Sequence, residues 1–394
     1  MTYFADTLNA IDSQSQLSRI LLSDPRGVMA DRLPRLVQPF LTWLTARPIS
    51  GAPVVERSGA SFVRTALIQV LLGAALGWAA LHLAFSFGAP LLLAGLLLTS
   101  SGLGLLQVVV FHHCSHGTVF RARERNVLVG QLVSCLLLFK HFDIYKREHM
   151  LHHSPNKLLT EEDEFADFVF GMCGLEAGMA KAVLWRRVLL HLVSPAFHAR
   201  FLARRLRAAW GSHDPAHNAI GMGCWAAAAG FAAAAGQFGA FLVVWVLPVT
   251  VLLQIATVFR ILCEHSFPEA ELIAARGKDF TCHASLGVFP GVMPPHARAN
   301  SLPGLAAWAG WWGQMLTVQL FVRVFVLVGD APCHDWHHRR PASRRWTSYI
   351  QARQLDVDAG SPGCRDGYNE AWGLFRAIDR TFASLARTPQ GLLR

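Results

Sequence analysis

The run from Thr65 to Phe111, TALIQVLLGAALGWAALHLAFSFGAPLLLAGLLLTSSGLGLLQVVVF, holds no Lys, Arg, Asp or Glu, and His112-His113-Cys114-Ser115-His116 follows it at once. The charge-free interval between Arg64 and Arg121 exceeds 50 residues. One bilayer crossing takes ~20 apolar residues, so this interval predicts two helices joined by a tight turn. The helices are expected at about 65–85 and 90–111, with the turn at Ser86-Phe87-Gly88-Ala89. Between Arg207 and Arg260 the only charged residue is Asp214, which predicts a second hairpin at about 219–235 and 238–259. The first arm of that hairpin is rich in Ala and Gly, a composition suited to close helix packing in lipid.

Composition agrees. Of 394 residues, 53% are hydrophobic and 16% charged, whereas soluble domains carry ~25% charged residues. The mean hydropathy is +0.32. A soluble globule, a disordered chain, a collagen and a coiled coil are excluded. The net charge of +10 would admit nucleic acid as a partner, but all 36 Lys and Arg lie outside the two hairpins. Both termini and the segment Gly117 to Trp210 therefore share one side, which the positive-inside rule makes cytoplasmic. Membrane topology thus accounts for the basic balance, and no nucleic acid is expected. Met1 to Asp6 shows no basic leader before an apolar core, so a cleaved signal is not expected. Two further apolar runs, Val127 to Phe139 and Leu305 to Val328, are expected to be interfacial or re-entrant; Arg323 interrupts the second, which carries Trp308, Trp311 and Trp312. The eight cysteines form no C-x-x-C pair and are expected to be reduced.

Most of the 18 histidines are clustered: His112 and His116, then His149, His152 and His153, then His265, then His334, His337 and His338. Residues at i, i+3 and i+4 share a helix face, so each cluster would point its imidazoles one way. Imidazole suits iron, zinc and copper. Nine nitrogens are too many for one ion and about right for two. Four crossings would deliver every cluster to one membrane face, whereas a spanning Leu305 to Val328 would strand His334 on the other.

These residues resemble the integral-membrane fatty acid desaturase and hydroxylase superfamily, whose three histidine boxes hold a di-iron centre. The matching motifs are His112-His113-Cys114-Ser115-His116-Gly117, then His149-x-x-His152-His153 followed by Glu161-Glu162-Asp163-Glu164, Arg260-x-x-x-Glu264-His265, and His334-x-x-His337-His338. The resemblance covers roughly Thr65 to Arg340. It implies two irons held by His112, His116, His149, His152, His153, His265, His334, His337 and His338, with O2 as co-substrate and an acyl or other long-chain lipid as substrate. Carboxylates near the boxes, Glu161, Asp163, Glu164, Glu264 and Asp335, are candidates for holding the outer N–H of ligand imidazoles. His113 stands where the family usually has Asp; it is expected behind the ligands, with a tenth ligand as the alternative.

No dinucleotide fingerprint or haem module is present, so an external electron donor is implied, a ferredoxin or small cytochrome. Lys140, Lys146, Arg147, Arg339, Arg340, Arg344 and Arg345 could dock it or could contact lipid headgroups. The loop Arg276 to Pro303 reads as an irregular cap. The expected protein is all-α, with four membrane helices in two hairpins, interfacial helices and a helical cytoplasmic cap carrying the metal site, in a bacterial inner membrane. Its parts are a cytoplasmic segment 1–63, a membrane catalytic domain 64–345 and a cytoplasmic tail 346–394. The activity read from it is acyl desaturation. Hydroxylation, acetylene formation, carotenoid oxidation and terminal-alkene formation stay open, as does a metal-binding membrane scaffold; a zinc hydrolase is disfavoured by the ligand count.

Overall fold

A computed structural model of the chain describes residues 24–49, 51–297 and 300–393. Three helices among them are long and apolar enough to cross a membrane: Gly59–Ala80, Phe85–Ser115 and Phe238–Glu264. The first opens on Ser58, whose side chain accepts from the Ser61 N–H at 3.2 Å. The turn to the second occupies Leu81 to Ala84, and Ser86 to Ala89 lie inside the helix that starts at Phe85. The expected turn is therefore placed about five residues late. Gly88, read as a turn former, instead lets the first turn of its helix approach the Ala80 carbonyl.

Small residues hold this hairpin together. A Cβ on Gly95 would lie 2.6 Å from the Gly77 nitrogen, and one on Gly102 would lie 2.7 Å from the Ala66 carbonyl. Two backbones in lipid gain most by close packing, because water does not drive apolar faces together there. Gly95→Leu is thus expected to destabilise the detergent-solubilised protein by roughly 1–3 kcal/mol or more, visible as a lower melting temperature. Gly223→Leu, where nothing lies within 4 Å, should leave the melting temperature unchanged.

The helix Pro215–Ala234 precedes Phe238–Glu264 and is opened by Asp214, which accepts from the His217 N–H at 3.0 Å. The two apolar runs set aside as interfacial or re-entrant are bent. Arg123–Leu137 meets Phe142–His152 at 105°, and Leu302–Val326 meets Ala331–Arg339 at 81°. Helices Lys181–Val193 and Pro195–Trp210 lie between the two hairpins in the chain.

The segment Arg276 to Pro303 is more regular than expected: helix Gly277–Ala284 leads into strand Gly287–Phe289, which pairs in parallel with Glu370–Trp372. The C-terminal helix Leu374–Arg387 packs on Leu253–Glu264 and buries Ala377, Ile378, Phe382 and Leu385. At the other end, Met29, Leu41 and Leu44 pack on Trp311 and Met315. The expectation of eight reduced thiols is corrected, because Cys282 and Cys364 form a disulfide across 82 positions. Helix Gly277–Ala284 and the turn before Gly367 bring their Cα atoms to 6.0 Å, a proximity that no local spacing could reveal.

Candidate metal centre

Each histidine cluster sits where a helix is interrupted. Leu105–Phe111 is a π-helical turn directly before His112; such turns insert a residue, re-aim the side chains that follow, and recur at functional sites. Before the second cluster the chain reverses at Leu138, a non-glycine residue at φ 59°. Arg205 secures that reversal by donating to the carbonyls of Leu137 (2.9 Å), Leu138 (3.1 Å) and Val249 (2.7 Å). Before the third cluster it reverses at Gly329, φ 55°, where a Cβ would collide with Val109.

These reversals gather the nine expected imidazoles into two neighbouring groups. His112, His116, His149, His153 and His337 form one; His152, His265, His334 and His338 form the other. In each, the nitrogens that could bind an ion lie within 4.8 Å of one another. The Nε2 atoms of His116 and His149 are 3.0 Å apart, those of His149 and His153 3.1 Å, and those of His153 and His337 3.0 Å. In the second group, His152 to His265 is 3.1 Å, His265 to His334 3.0 Å, and His334 to His338 3.0 Å.

The outer hydrogen bonds say which nitrogen carries each proton. His152 Nδ1 donates to Asp163 Oδ1 at 2.8 Å, and His265 Nδ1 donates to the Ala284 carbonyl at 3.2 Å. A carbonyl or carboxylate can only accept, so in neutral rings both Nε2 atoms present lone pairs. The two Nε2 atoms face each other 3.1 Å apart in a buried site, an arrangement that needs a metal ion or a shared proton between them. His112 repeats the pattern: Nδ1 bonds to the Val108 carbonyl at 3.0 Å and its buried Nε2 has no partner. The spacing also fits a metal. Two nitrogens about 2.1 Å from one ion stand about 3.0 Å apart at a right angle and about 3.4 Å apart at the tetrahedral angle. The observed 3.0–3.1 Å lets two imidazoles reach one ion together.

Electrostatics keeps all the donors but His152 deprotonated, as ligation requires. Burial pushes His116 down to about 3, with His113 and Lys146 adding to the effect. Burial, reinforced by the other imidazoles, likewise holds His149, His153, His265, His334, His337 and His338 well below the usual range. Burial alone would lower His152 too, but Asp163 overrides it and raises this ring.

The acids divide. Asp163 is fully buried and accepts from the N–H groups of Leu159 (2.7 Å) and Phe165 (2.9 Å) besides His152. Burial opposes its ionisation, yet His152 and these donors hold its carboxyl below the usual range. Asp163→Asn is expected to weaken metal retention about 10–100-fold, measurable by titration with a chelator. Glu164 lies 3.6 Å from His149 Nδ1 and pairs with Lys140; Glu264 lies 3.9 Å from His334 Nδ1 and pairs with Arg260. Asp335, expected behind a ligand, instead binds Arg353 and the Trp336 N–H, with no imidazole among its partners in the described residues. His113 bonds to Asp330 at 2.7 Å and stacks on Trp346 at 4.1 Å, so what it holds is a carboxylate rather than a ligand ring. Asp330 and Arg353 were not legible as site residues, since each meets its partner across a long stretch of chain.

A cavity of about 230 Å³ opens beside the histidines, with Val108, Phe111, Phe139, Phe165, Phe168 and Phe201 on its apolar wall. His112, His149, His152, His265, His334 and His337 also border it.

A family model described as fatty acid desaturase matches residues 86–297, just over half of the chain. The match takes in the first two clusters and His265 and stops short of His334, which only the fold brings to the others. No curated protein and no solved structure matches the chain.

Proposed function

The chain belongs to the fatty acid desaturase family, and from that premise we propose that it is a membrane-bound di-iron oxidase that introduces a double bond into a long-chain acyl substrate. The observation that carries this reading is the opposition of the His152 and His265 Nε2 atoms at 3.1 Å, with both Nδ1 atoms already committed to acceptors. His112, His116, His149, His153 and His337 would hold one iron; His152, His265, His334 and His338 would hold the other. When bound, such a pair activates O2 for attack on an unactivated C–H bond, chemistry that no side chain supplies.

The protein's part is positional. Asp163 and the Ala284 carbonyl hold the Nδ1 side of His152 and His265, so that their Nε2 atoms are aimed inward. Tyr145 stacks on His149 at 5.1 Å and limits rotation of that ring. The Phe-lined wall offers an alkyl chain an apolar surface beside the histidines. Electrons would come from a separate ferredoxin or small cytochrome. We further propose four crossings, with Pro215–Ala234 as the fourth and both termini cytoplasmic. A C-terminal fluorescent protein should then fluoresce, and alkaline phosphatase in its place should be inactive.

The test of the activity is the metal content of purified protein together with analysis of lipid extracts from cells that express it. About two irons per chain and a new unsaturated chain are expected. A hydroxylated product would move the reading to hydroxylation; zinc alone, or no metal in folded protein, would overturn it in favour of a hydrolase or scaffold.

A further inference from the structure

Cys282 and Cys364 close a disulfide between two segments that both support the histidines. Cys282 sits two residues before Ala284, whose carbonyl accepts from His265 Nδ1 at 3.2 Å. Cys364 sits two residues after Pro362, whose carbonyl accepts from Arg339, the neighbour of His338. His265 and His338 belong to the same group of four, so one covalent bond joins the supports of two proposed ligands. Both cysteines lie on the face that the proposed topology makes cytoplasmic. Glutathione and thioredoxin keep thiols reduced there, and cytoplasmic disulfides are usually transient and catalytic or redox-sensing. The surroundings suit a bond that opens and closes. Pro362, Gly363, Arg365 and Asp366 around Cys364 are exposed, which gives an attacking thiol access. Asn369 donates to the His283 carbonyl at 2.9 Å, and strand Gly287–Phe289 pairs with Glu370–Trp372. These contacts keep the two cysteines adjacent when the bond is open.

We propose that Cys282 and Cys364 are a reversible thiol–disulfide pair through which a glutathione-class thiol sets how firmly the four-histidine group holds its metal. The inference rests on the orientation proposed above and adds regulation of the same site. Opening consumes two such thiols. The first, as its thiolate, attacks one sulfur of the pair, forms a mixed disulfide and releases the partner cysteine as a thiolate that takes up a proton. The second attacks the mixed disulfide, leaves with the first as a symmetric disulfide and frees the other cysteine. The protein pair gains two electrons and two protons, and the two small thiols lose them. Closed, the bond fixes the segments that carry the Ala284 and Pro362 carbonyls to each other; open, only non-covalent contacts do so.

Purified holoprotein in nanodiscs, equilibrated in glutathione buffers from fully reduced to fully oxidised and trapped with a maleimide-linked polyethylene glycol, reports the pair directly as a gel shift. Two labels should be lost together as the buffer becomes oxidising, and the double variant Cys282→Ser, Cys364→Ser should show no such loss. The oxidised wild type should release its metal to a chelator about tenfold more slowly than the reduced form, and it should melt higher. Both differences should vanish in the double variant, which controls for direct action of glutathione on the metal. Both should persist in Cys224→Ser, which removes an exposed free thiol. Cys364→Ser alone, placed in the exposed turn, serves if the double variant fails to fold. A bond that stays closed in fully reduced glutathione, a pair that stays open in fully oxidised glutathione, or equal metal release and melting by the two forms would overturn the proposal. The topology fusions fail separately. Active alkaline phosphatase overturns the orientation and this inference with it, whereas a bond locked closed beside an inactive fusion overturns only the switch.

Discussion

Replacing His265 by alanine is expected to lower the iron content from about two to about one per chain and activity to background, whereas His112→Ala should keep most of its iron. The difference follows from how the nine imidazoles divide. His265 belongs to a group of four, with His152, His334 and His338, and its removal leaves three. His112 belongs to a group of five, and its removal leaves four. Both rings rest their Nδ1 on a backbone carbonyl, Ala284 for His265 and Val108 for His112, so the size of the set and not the outer support makes the difference. Loss of a ligand from the smaller set opens a position that water fills, and the ion dissociates. For His112→Ala an activity loss of about 10–100-fold is expected, the scale of a perturbed but occupied site. Iron analysis and activity on matched, folded samples decide it; equal iron loss in the two variants would show that the five and the four are not separate sites.

The second large effect concerns stability. Asp335 and Arg353 are 1% and 2% exposed and paired at 2.6 Å, with Arg353 also on Glu370 at 2.7 Å. Removing one partner of a buried pair leaves an uncompensated charge and costs about 3–5 kcal/mol. Asp335→Ala is therefore expected to lower the melting temperature by roughly 10 °C and to release iron, because Asp335 anchors the short helix His334–Arg339 that carries three proposed ligands. The double variant Asp335→Leu, Arg353→Met should recover most of that loss, since apolar replacement of a whole buried pair is often neutral or better. Glu370 keeps Arg47 as its partner at 2.9 Å in that variant. If the double variant melted no higher than the single one, the pair would be more than an electrostatic clasp.

Much of this was open to inspection in the chain itself. Of the four helices expected from the charge-poor runs, three are long and apolar enough to cross a bilayer, Gly59–Ala80, Phe85–Ser115 and Phe238–Glu264, while the Ala- and Gly-rich arm expected at about 219–235 is not among them, because its small residues carry little hydropathy. The first turn was misplaced by about five residues because Gly88, which reads as a turn former, is used for close approach within a helix. The cysteine expectation failed at Cys282 and Cys364 because a disulfide across 82 positions depends on chain path and not on spacing. Asp163 could be named as a candidate from its place near the second cluster. Asp335, equally close to its cluster, faces Arg353, because in a short helix the direction of a side chain depends on what packs against it.

What the sequence determined by itself is the inventory: apolar helices, nine histidines at helical spacing, and the motifs that place the chain in its family. These are local quantities, set by residue type and by separations of three and four. What only the tertiary structure decided is the partition of nine imidazoles into five and four, the outer partners that orient them, and the cavity beside them. Each of those needs residues such as His113 and Asp330, or His152 and His265, separated by 217 and 113 positions. Such pairs meet only after the hairpins pack and the chain reverses at Leu138 and Gly329, so distances between them are a property of the folded chain and of no segment of it.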